Sequence, residues 1–591
     1  MKFLVFIKQV PNPADIHFDS FTKTLIRAGV RNEINPYDRR ALSEAIRCRN
    51  QNGGEVTAVT MGPPSARDAL LEALIMGVDS AVHIMDSRLA GSDTLVTARV
   101  LAAAARKLGC DIIFCGQHST DSETGQVPVE LAELLGMPCA TAVSKIEYLQ
   151  GKAIQATCET DEGWTVVEVS LPAVLSSAER LIKPIKTKNV DLSSAPRERI
   201  IECRLEDLGL SRDEVGVAGS PTWVADIQDV RVSRSPELWD GSDAGSVAKK
   251  LLDVCNARFS GAPEAAPTFS SRPSESEYWC WVELFQNQIR SVSLEMISTA
   301  AGLGLACAIV PGPITPELKN ILCAHGAQKI FVFPSPLHPD ESVAAICENI
   351  THEKPFAVLF PATTRGRYIA SRVSARLQLG LTGDCVGLHL DQQGRLAQMK
   401  PAFGGNILAP IYSRTAPQMA TVRPGALPLA LRTRSKGPEV IHRIIPEGVQ
   451  RQFSVVAEEI DFGIQAVKLN EARTVVGIGA GFGQANLPLA SRLADLLKGC
   501  IAATRRVVDM GWVPRQFQVG LTGKFIAPEI YLGLAISGRY NHMIGVQKAG
   551  LLVAVNSDPN AEVFQCVDIG VVGDAVSITT EMIQLLEQKD R

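Results

Sequence analysis

The chain resembles itself, and that constrains its fold more than any other feature. TAVTMGPP at 57–64, a helical stretch and GVDSAVHI at 77–84 find a counterpart in CAIVPGPI at 307–314, a helical stretch and GAQKIFVF at 326–333. The next apolar runs also correspond in order, CDIIFCG at 110–116 and KPFAVLFP at 354–361. Repetition of whole strand–helix–strand units means two copies of one fold.

Short β-rich runs at 2–10, 55–61, 110–116 and 173–176 alternate with amphipathic stretches, as in parallel α/β layers. Residues 65–77 read as one crossover helix, with Ser65 as N-cap, an acidic residue at Asp68 and a terminal Gly77. After Gly463 a third region begins. TVVGIGAG at 474–481 opens a strand–loop–helix unit and LLVAVN at 551–556 supplies another strand, with no counterpart in the first half. The expected fold class is therefore α/β: two related parallel-sheet domains plus one extra α/β domain at the C-terminus. The boundaries expected are 1–259 with a C-terminal arm, 278–468 and 469–591. Between the first two of them 260–277, SGAPEAAPTFSSRPSESE, is polar, holds three prolines and lacks either helical or strand periodicity, so it reads as an interdomain linker.

At 591 residues the chain exceeds one hydrophobic core. An apolar fraction of 46%, a charged fraction of 21% and a net charge of −4 argue against a nucleic-acid or membrane-surface binder. The weakly polar run 297–310 is shorter than the roughly 20 residues a membrane span needs, so no membrane insertion is expected. The N-terminus reads as a buried strand rather than a signal peptide. Fourteen cysteines without a Cys-x-x-Cys pair read as reduced core residues of a cytoplasmic protein, and no metal set is apparent around Cys110 and Cys115. There is no Gly-x-Ser-x-Gly elbow and no His-Glu-x-x-His, so hydrolase chemistry is set aside.

The segments that carry chemistry lie in the third region and in the first domain. Thr504 and Arg505, the loop Gln518, Val519, Gly520, Leu521, Thr522, Gly523 and Lys524, the turn Ser537 and Gly538 leading through Arg539, Tyr540 and Asn541 to His542, and Asn556 with Asp558 combine glycines, hydroxyls, cations and an imidazole. A flavin needs such a set: donors toward an anionic reduced ring, amides for a pyrophosphate and an apolar cavity. Gly481-Phe482-Gly483 alone would suit a dinucleotide loop, but no acidic residue ends the next strand as NAD binding requires. In the first domain, 116–126 (GQHSTDSETGQ) follows a strand and precedes the helix 127–135, the phosphate-binding place of an α/β unit. Gly91-Ser92-Asp93-Thr94 opens a helix through Thr97 and Arg99, and ordinary helix capping explains it equally well.

These residues together resemble the electron-transfer flavoprotein family. Residues 1 to about 260 resemble its β subunit through Ile7-Lys8-Gln9-Val10-Pro11, Ile34-Asn35-Pro36, the 60–63 stretch, Gly91-Ser92-Asp93-Thr94 and 121–126. Residues from about 278 resemble its α subunit through PAFGGN at 401–406, TVRPG at 421–425, Val508-Asp509, GWV at 511–513, Thr522-Gly523-Lys524, Ile536-Ser537-Gly538 and Val555-Asn556. The resemblance implies adenine-nucleotide-hydrolase-like folds for the two related domains and a Rossmann-like FAD-binding fold for the third, in a fused β–α electron carrier with one FAD in the C-terminal domain. Thr504 and Arg505 would flank the isoalloxazine, Thr522 would approach N5, His542 O2, and Asn556 and Asp568 the adenosine. It further implies a second adenine nucleotide, FAD favoured over AMP, held by Asn35, Met61, Asp93, Thr94, Thr97, Gly116, Asp121, Thr124, Gly125 and Gln126. The pattern of Gly91-Ser92-Asp93-Thr94 and the late stretches 207–210 and 219–222 is closer to the bifurcating, anaerobic-type branch. Departures are Ala480 for an arginine, Leu521 for a glutamine, and Arg539-Tyr540-Asn541 before the histidine.

Expected partners are a flavin dehydrogenase, such as an acyl-CoA dehydrogenase of fatty acid oxidation, as donor and a quinone oxidoreductase or similar acceptor. The stretch 182–189 falls where the family docks its dehydrogenase. The 18 residues of 260–277 would join a pseudo-heterodimeric monomer. Two alternatives stay open: an NADH-oxidising bifurcating enzyme, and a non-redox adenine-nucleotide-binding protein.

Overall fold

A computed structural model describes residues 1–589 apart from 12–16, 20–23, 27–31, 150–152, 188–190, 230–233, 261–274, 403–406, 432–436, 461–468, 470–471 and 521–522. Most of the expected linker and the Gly463 boundary therefore lie outside the described residues. The chain forms two compact units. One comprises Met1–Thr160, Trp164–Asp229 and Phe269–Glu459; the other comprises Asp161–Gly163, Val230–Thr268 and Ile460–Arg591.

The first unit contains the duplication. Its larger sheet runs Ile200–Cys203, Ser80–Ile84, Glu55–Met61, Lys2–Phe6, Ile112–Gly116, Ala173–Ser177, Cys139–Leu149 in parallel. Its second sheet runs Glu439–His442, Lys329–Val332, Leu305–Val310, Glu277–Trp281, Ala357–Pro361, Gln418–Val422, Leu381–Cys385, also in parallel. The two orders match strand for strand, as the repeated sequence implies. Strands with apolar residues on both faces, such as Ile112–Gly116, buried throughout, need helices on both sides of the sheet.

Antiparallel strands extend both halves, which the alternation of parallel units did not foretell. Ala153–Glu159 and Gly163–Ser170 continue the first sheet, while Gly387–Leu390, Leu396–Ala402 and Ile407–Ser413 form a separate sheet. Strands Thr222–Val224 and Gln228–Asp229, from the first half of the chain, pair with Ile407–Ser413 of the second.

Two local readings change. The run 2–10 breaks after Phe6, and Gln9–Pro11 pairs instead with Asn32–Ile34. Ser65 is not an N-cap: it sits inside the 3-10 turn Pro64–Ala66, because Pro63 and Pro64 tighten the entry before the helix Arg67–Met76. That helix does end on Gly77, at φ 111°.

The halves of the first unit meet through the helices Val127–Leu135 and Thr364–Leu377. One apolar cluster unites them, drawing Val100, Leu131 and Val174 together with Trp279, Phe331 and Val373. At its margin Arg372 donates to Glu133 at 2.6 Å and to Asp340, and Arg376 donates to Glu133 at 2.7 Å.

The second unit is a six-stranded parallel sheet in the order Cys500–Ala503, Thr474–Ile478, Ile530–Leu534, Leu551–Asn556, Ile569–Val572, Glu237–Asp240. The first five strands have the doubly wound 2-1-3-4-5 order, so the fold class expected from sequence holds. The sixth comes from far earlier in the chain, and the helix Ala244–Ser260 after it packs against Ala575–Lys589. Among the described residues no helix is long and apolar enough to cross a membrane.

Candidate functional site

In an open doubly wound sheet, ligands bind beyond the carboxyl ends of the strands where the order reverses. In the second unit that point lies between Thr474–Ile478 and Ile530–Leu534. Glycine makes their ends converge: a Cβ on Gly479 would stand 2.0 Å from the Ala535 carbonyl oxygen. The sequence-predicted residues gather along this edge because each group follows a different strand. Thr504 and Arg505 follow Cys500–Ala503, Ser537 to His542 follow Ile530–Leu534, and Asn556 ends Leu551–Asn556 with Asp558 just beyond it.

Hydrogen bonds tie these loops to one another. Val519 N donates to Ala503 O at 3.0 Å and Lys524 N to Gln518 O at 2.7 Å, folding the buried Gln518, Val519 and Gly520 onto the end of the second strand with the half-buried Gly523 and Lys524. A Cβ on Gly520 would meet Asn541 O at 2.2 Å, so that loop lies directly on the short helix Tyr540–Met543. Asn556 Nδ2 donates to Ile536 O at 2.9 Å while its Oδ1 accepts from Asp558 N at 2.9 Å, bracing the neighbouring turn. Ser537, Arg539, Tyr540, Asn541 and Asp558 are exposed along this edge; Thr504 is half-buried, and Arg505 is exposed with its Nε 3.2 Å from Asp509 Oδ2. Leu521 and Thr522 lie outside the described residues.

His542 is buried, with Nδ1 2.9 Å from Val519 O and Nε2 2.7 Å from the Tyr531 hydroxyl. Burial pushes its pKa down to about 4, so the imidazole is neutral at physiological pH.

Asp568 does not join this edge. It precedes Ile569–Val572 at the amino end of the sheet, where its carboxylate binds Arg234 and accepts from Leu552 N at 2.8 Å. The acid that follows that strand at the carboxyl end is Asp574, which caps the last helix through Ser577 N at 2.8 Å.

The equivalent edge of the first sheet lies between Lys2–Phe6 and Ile112–Gly116. Asp38, which sequence reasoning missed, clamps the two ends: its carboxylate accepts from Lys8 N at 2.7 Å and Gly116 N at 2.9 Å. Burial raises its pKa to about 7 against those bonds. Asn35 holds the following loop, donating to His118 O at 2.9 Å and accepting from Thr120 N at 3.3 Å. Asp121 pairs with Lys8 at 2.6 Å. Thr94 Oγ1 donates to Gln126 Oε1 at 2.8 Å and Glu130 Oε1 at 3.2 Å.

Asp93 caps the helix Thr94–Leu108 through Val96 N at 3.0 Å, and also accepts from Thr222 Oγ1 at 2.8 Å. Met61, Thr97, Thr124 and Gly125 border the same edge, half-buried. Thr120 Oγ1 and Glu130 Oε2 are buried without a protein partner, and burial lifts the Glu130 pKa well above the carboxylate range. A polar atom left so is a place for water or ligand.

The corresponding edge of the second half lacks this cradle. After Ala357–Pro361 only Ala362 and Thr363 precede the helix Thr364–Leu377, where the first half has the ten residues 117–126. Its polar residues instead face the first half's loop. A Cβ on Gly383 would stand 2.9 Å from Gln126 Nε2, and Arg423 lies 4.0 Å from Glu123. Beside them Arg367 grips Asp384 at 2.9 and 2.8 Å, and Lys400 is buried with an unpartnered Nζ.

Comparison with known proteins agrees with the repeat and with the third domain. The model "Electron transfer flavoprotein domain" matches twice, at residues 22–201 and 280–444, and "Electron transfer flavoprotein FAD-binding domain" matches residues 468–547. The chain belongs to the electron transfer flavoprotein family.

The electron transfer flavoprotein subunit alpha of Thermoanaerobacterium thermosaccharolyticum is 34% identical over 326 residues, 53% of this chain and 98% of the relative. The subunit beta of the same organism is 38% identical over 259 residues, 44% of this chain and 99% of the relative. Protein FixB of Rhizobium meliloti is 32% identical over 328 residues, 53% of this chain and 93% of the relative. This flavoprotein thus joins in one chain what those relatives carry as separate subunits, and its second unit contains the family's FAD-binding domain.

The residues present fit FAD. The carboxyl edge of that unit supplies glycine turns, a serine hydroxyl, three cations and an amide from four successive strand ends, the donor types that a pyrophosphate and a flavin ring require.

Proposed function

We propose that this flavoprotein takes electrons from a flavin dehydrogenase, such as an acyl-CoA dehydrogenase, and passes them to a quinone oxidoreductase or another acceptor. FAD supplies the redox chemistry; the protein binds it, tunes it and keeps it apart from bulk reactions. Gln518 to Lys524 and the Ser537–His542 turn would position the ring, and Asn556 would hold the adenosine side. His542, neutral and buried, adds no positive charge there, whereas the exposed Arg539 and half-buried Lys524 offer cations.

The same reading places a second adenine nucleotide at the first unit's edge. The observation that carries it is the contrast between the halves: the first keeps a ten-residue cradle with Thr120 Oγ1 and Glu130 Oε2 buried and unpartnered, and the second has no such loop. FAD is favoured over AMP because Lys400 and Thr382, also buried with unpartnered polar atoms, lie on the strands facing that loop and would suit a ligand extending past a ribose phosphate.

A second reading, NADH-driven bifurcation, is favoured by the presence of two candidate edges on one chain. Acid-released nucleotide from the full-length protein is expected to give two FAD per chain. One FAD with one AMP would overturn the choice of ligand, and no nucleotide beyond one FAD would remove the second site. Adding NADH anaerobically to the two-FAD protein separates the readings: bleaching supports bifurcation, and its absence supports a carrier reduced by its dehydrogenase.

A further inference from the structure

The strand Ile530–Leu534 carries an anomaly. Tyr531 is 1% exposed at the amino end of a parallel strand whose carboxyl end bears the candidate cofactor residues, yet its hydroxyl reaches His542 at 2.7 Å. A glycine lets it do so. A Cβ on Gly477, in the adjacent strand, would stand 1.8 Å from the Tyr531 hydroxyl. Glycine inside a strand weakens it and marks a place where another group must lie close. Here that group is the tyrosine, lying over the sheet toward the carboxyl edge.

The bonding of the imidazole follows from the partners. Val519 O can only accept, so Nδ1 carries the proton; Nε2 is then a lone pair and the Tyr531 hydroxyl donates to it. We propose that Tyr531 is a positioning residue that, by donating to Nε2 while Val519 O accepts from Nδ1, holds His542 as the Nδ1-protonated tautomer and sets the plane of its ring at the cofactor edge. The inference rests, for its consequence, on the reading that His542 faces the flavin; the tautomer itself does not.

The consequence is chemical. A ring fixed in this way cannot swing to donate from Nε2, so it meets a neighbouring ligand oxygen as a neutral dipole of set direction. Its surroundings favour the neutral form: burial acts against a charge and outweighs the bond to Val519 O, which favours one.

The test uses the full-length chain selectively labelled with 15N-histidine, with His542→Asn identifying the resonance. The wild type is expected to show His542 as one neutral tautomer, protonated at Nδ1, with no titration from pH 5.5 to 8. In Tyr531→Phe the signal is expected to split between tautomers or to begin titrating in that range, and Gly477→Ala is expected to act likewise by displacing the tyrosine. An Nε2-protonated wild type, or a Tyr531→Phe signal identical to wild type, overturns the proposal. The midpoint potential of the bound flavin supplies the second arm. Tyr531→Phe is expected to shift it, and the shift is expected to vanish when His542 is already asparagine. If the tautomer behaves as stated but neither substitution moves the potential, the positioning role stands and the flavin-facing placement of His542 fails.

Discussion

Replacing Arg372 with alanine is expected to destabilise the first unit by about 3–5 kcal/mol, the cost of stripping one partner from a buried ion network. The Arg372 side chain is 3% exposed and the Asp340 side chain 2%. Removing the guanidinium leaves Asp340 with His338 and the Gln452 amide, and leaves Glu133 with Arg376 alone. A denaturant midpoint on the full chain reads the effect, and Arg372→Met separates lost packing from lost charge. Burial alone would raise the Asp340 pKa, but its bonds to His338 and Arg372 hold it down to about 2. The folded pKa is thus below the unfolded value, so the unfolded chain binds more protons between them. The stabilisation is complete above the ordinary carboxylate value of 3.8 and is lost as pH falls toward 2. In the alanine variant the acid limb of stability is expected to flatten over that window.

The second large effect concerns the cofactor. Gly538 has φ 87°, and a Cβ there would stand 1.9 Å from Val563 N, which itself donates to Ser537 O at 3.1 Å. Gly538→Ala must separate the turn from the segment that braces it, moving Ser537 to His542 together. With roughly 1–3 kcal/mol of backbone strain placed on the binding turn, FAD affinity is expected to fall about ten- to a hundredfold. Gly511→Ala is the control: it has a similar φ of 72° but open space around the added carbon. Equal FAD affinity in the two variants would mean that the turn does not shape the site.

The duplication was legible because strands at equal places in a doubly wound sheet need the same apolar runs and the same glycine–proline exits, as at 57–64 and 307–314. Helix limits were legible where the chemistry is local: Val127–Leu135 ends on Gly136, and Asp93 caps Thr94–Leu108 as its position before the helix implies. The strand Glu237–Asp240 was not legible as part of the last sheet, because its partner Ile569–Val572 is more than three hundred residues away and no periodicity encodes which sheet an edge strand joins.

The site divides in the same way. Residues at the carboxyl ends of strands, such as Thr504, Ser537 and Asn556, were singled out in the sequence because a glycine or polar turn after an apolar run marks such an edge. Asp568 was misplaced because the sheet direction, not its acidity, decides which end it occupies. Asp38, Glu130 and Lys400 carried no motif at all: each is distinguished only by burial, which tertiary packing creates.

The most direct test of the central claim is a crystal structure of the full-length chain grown with FAD. FAD is expected along the carboxyl ends of Thr474–Ile478, Ile530–Leu534 and Leu551–Asn556, touching the loops after them. An ordered structure in which side chains fill that edge, with no FAD bound there, would contradict the account.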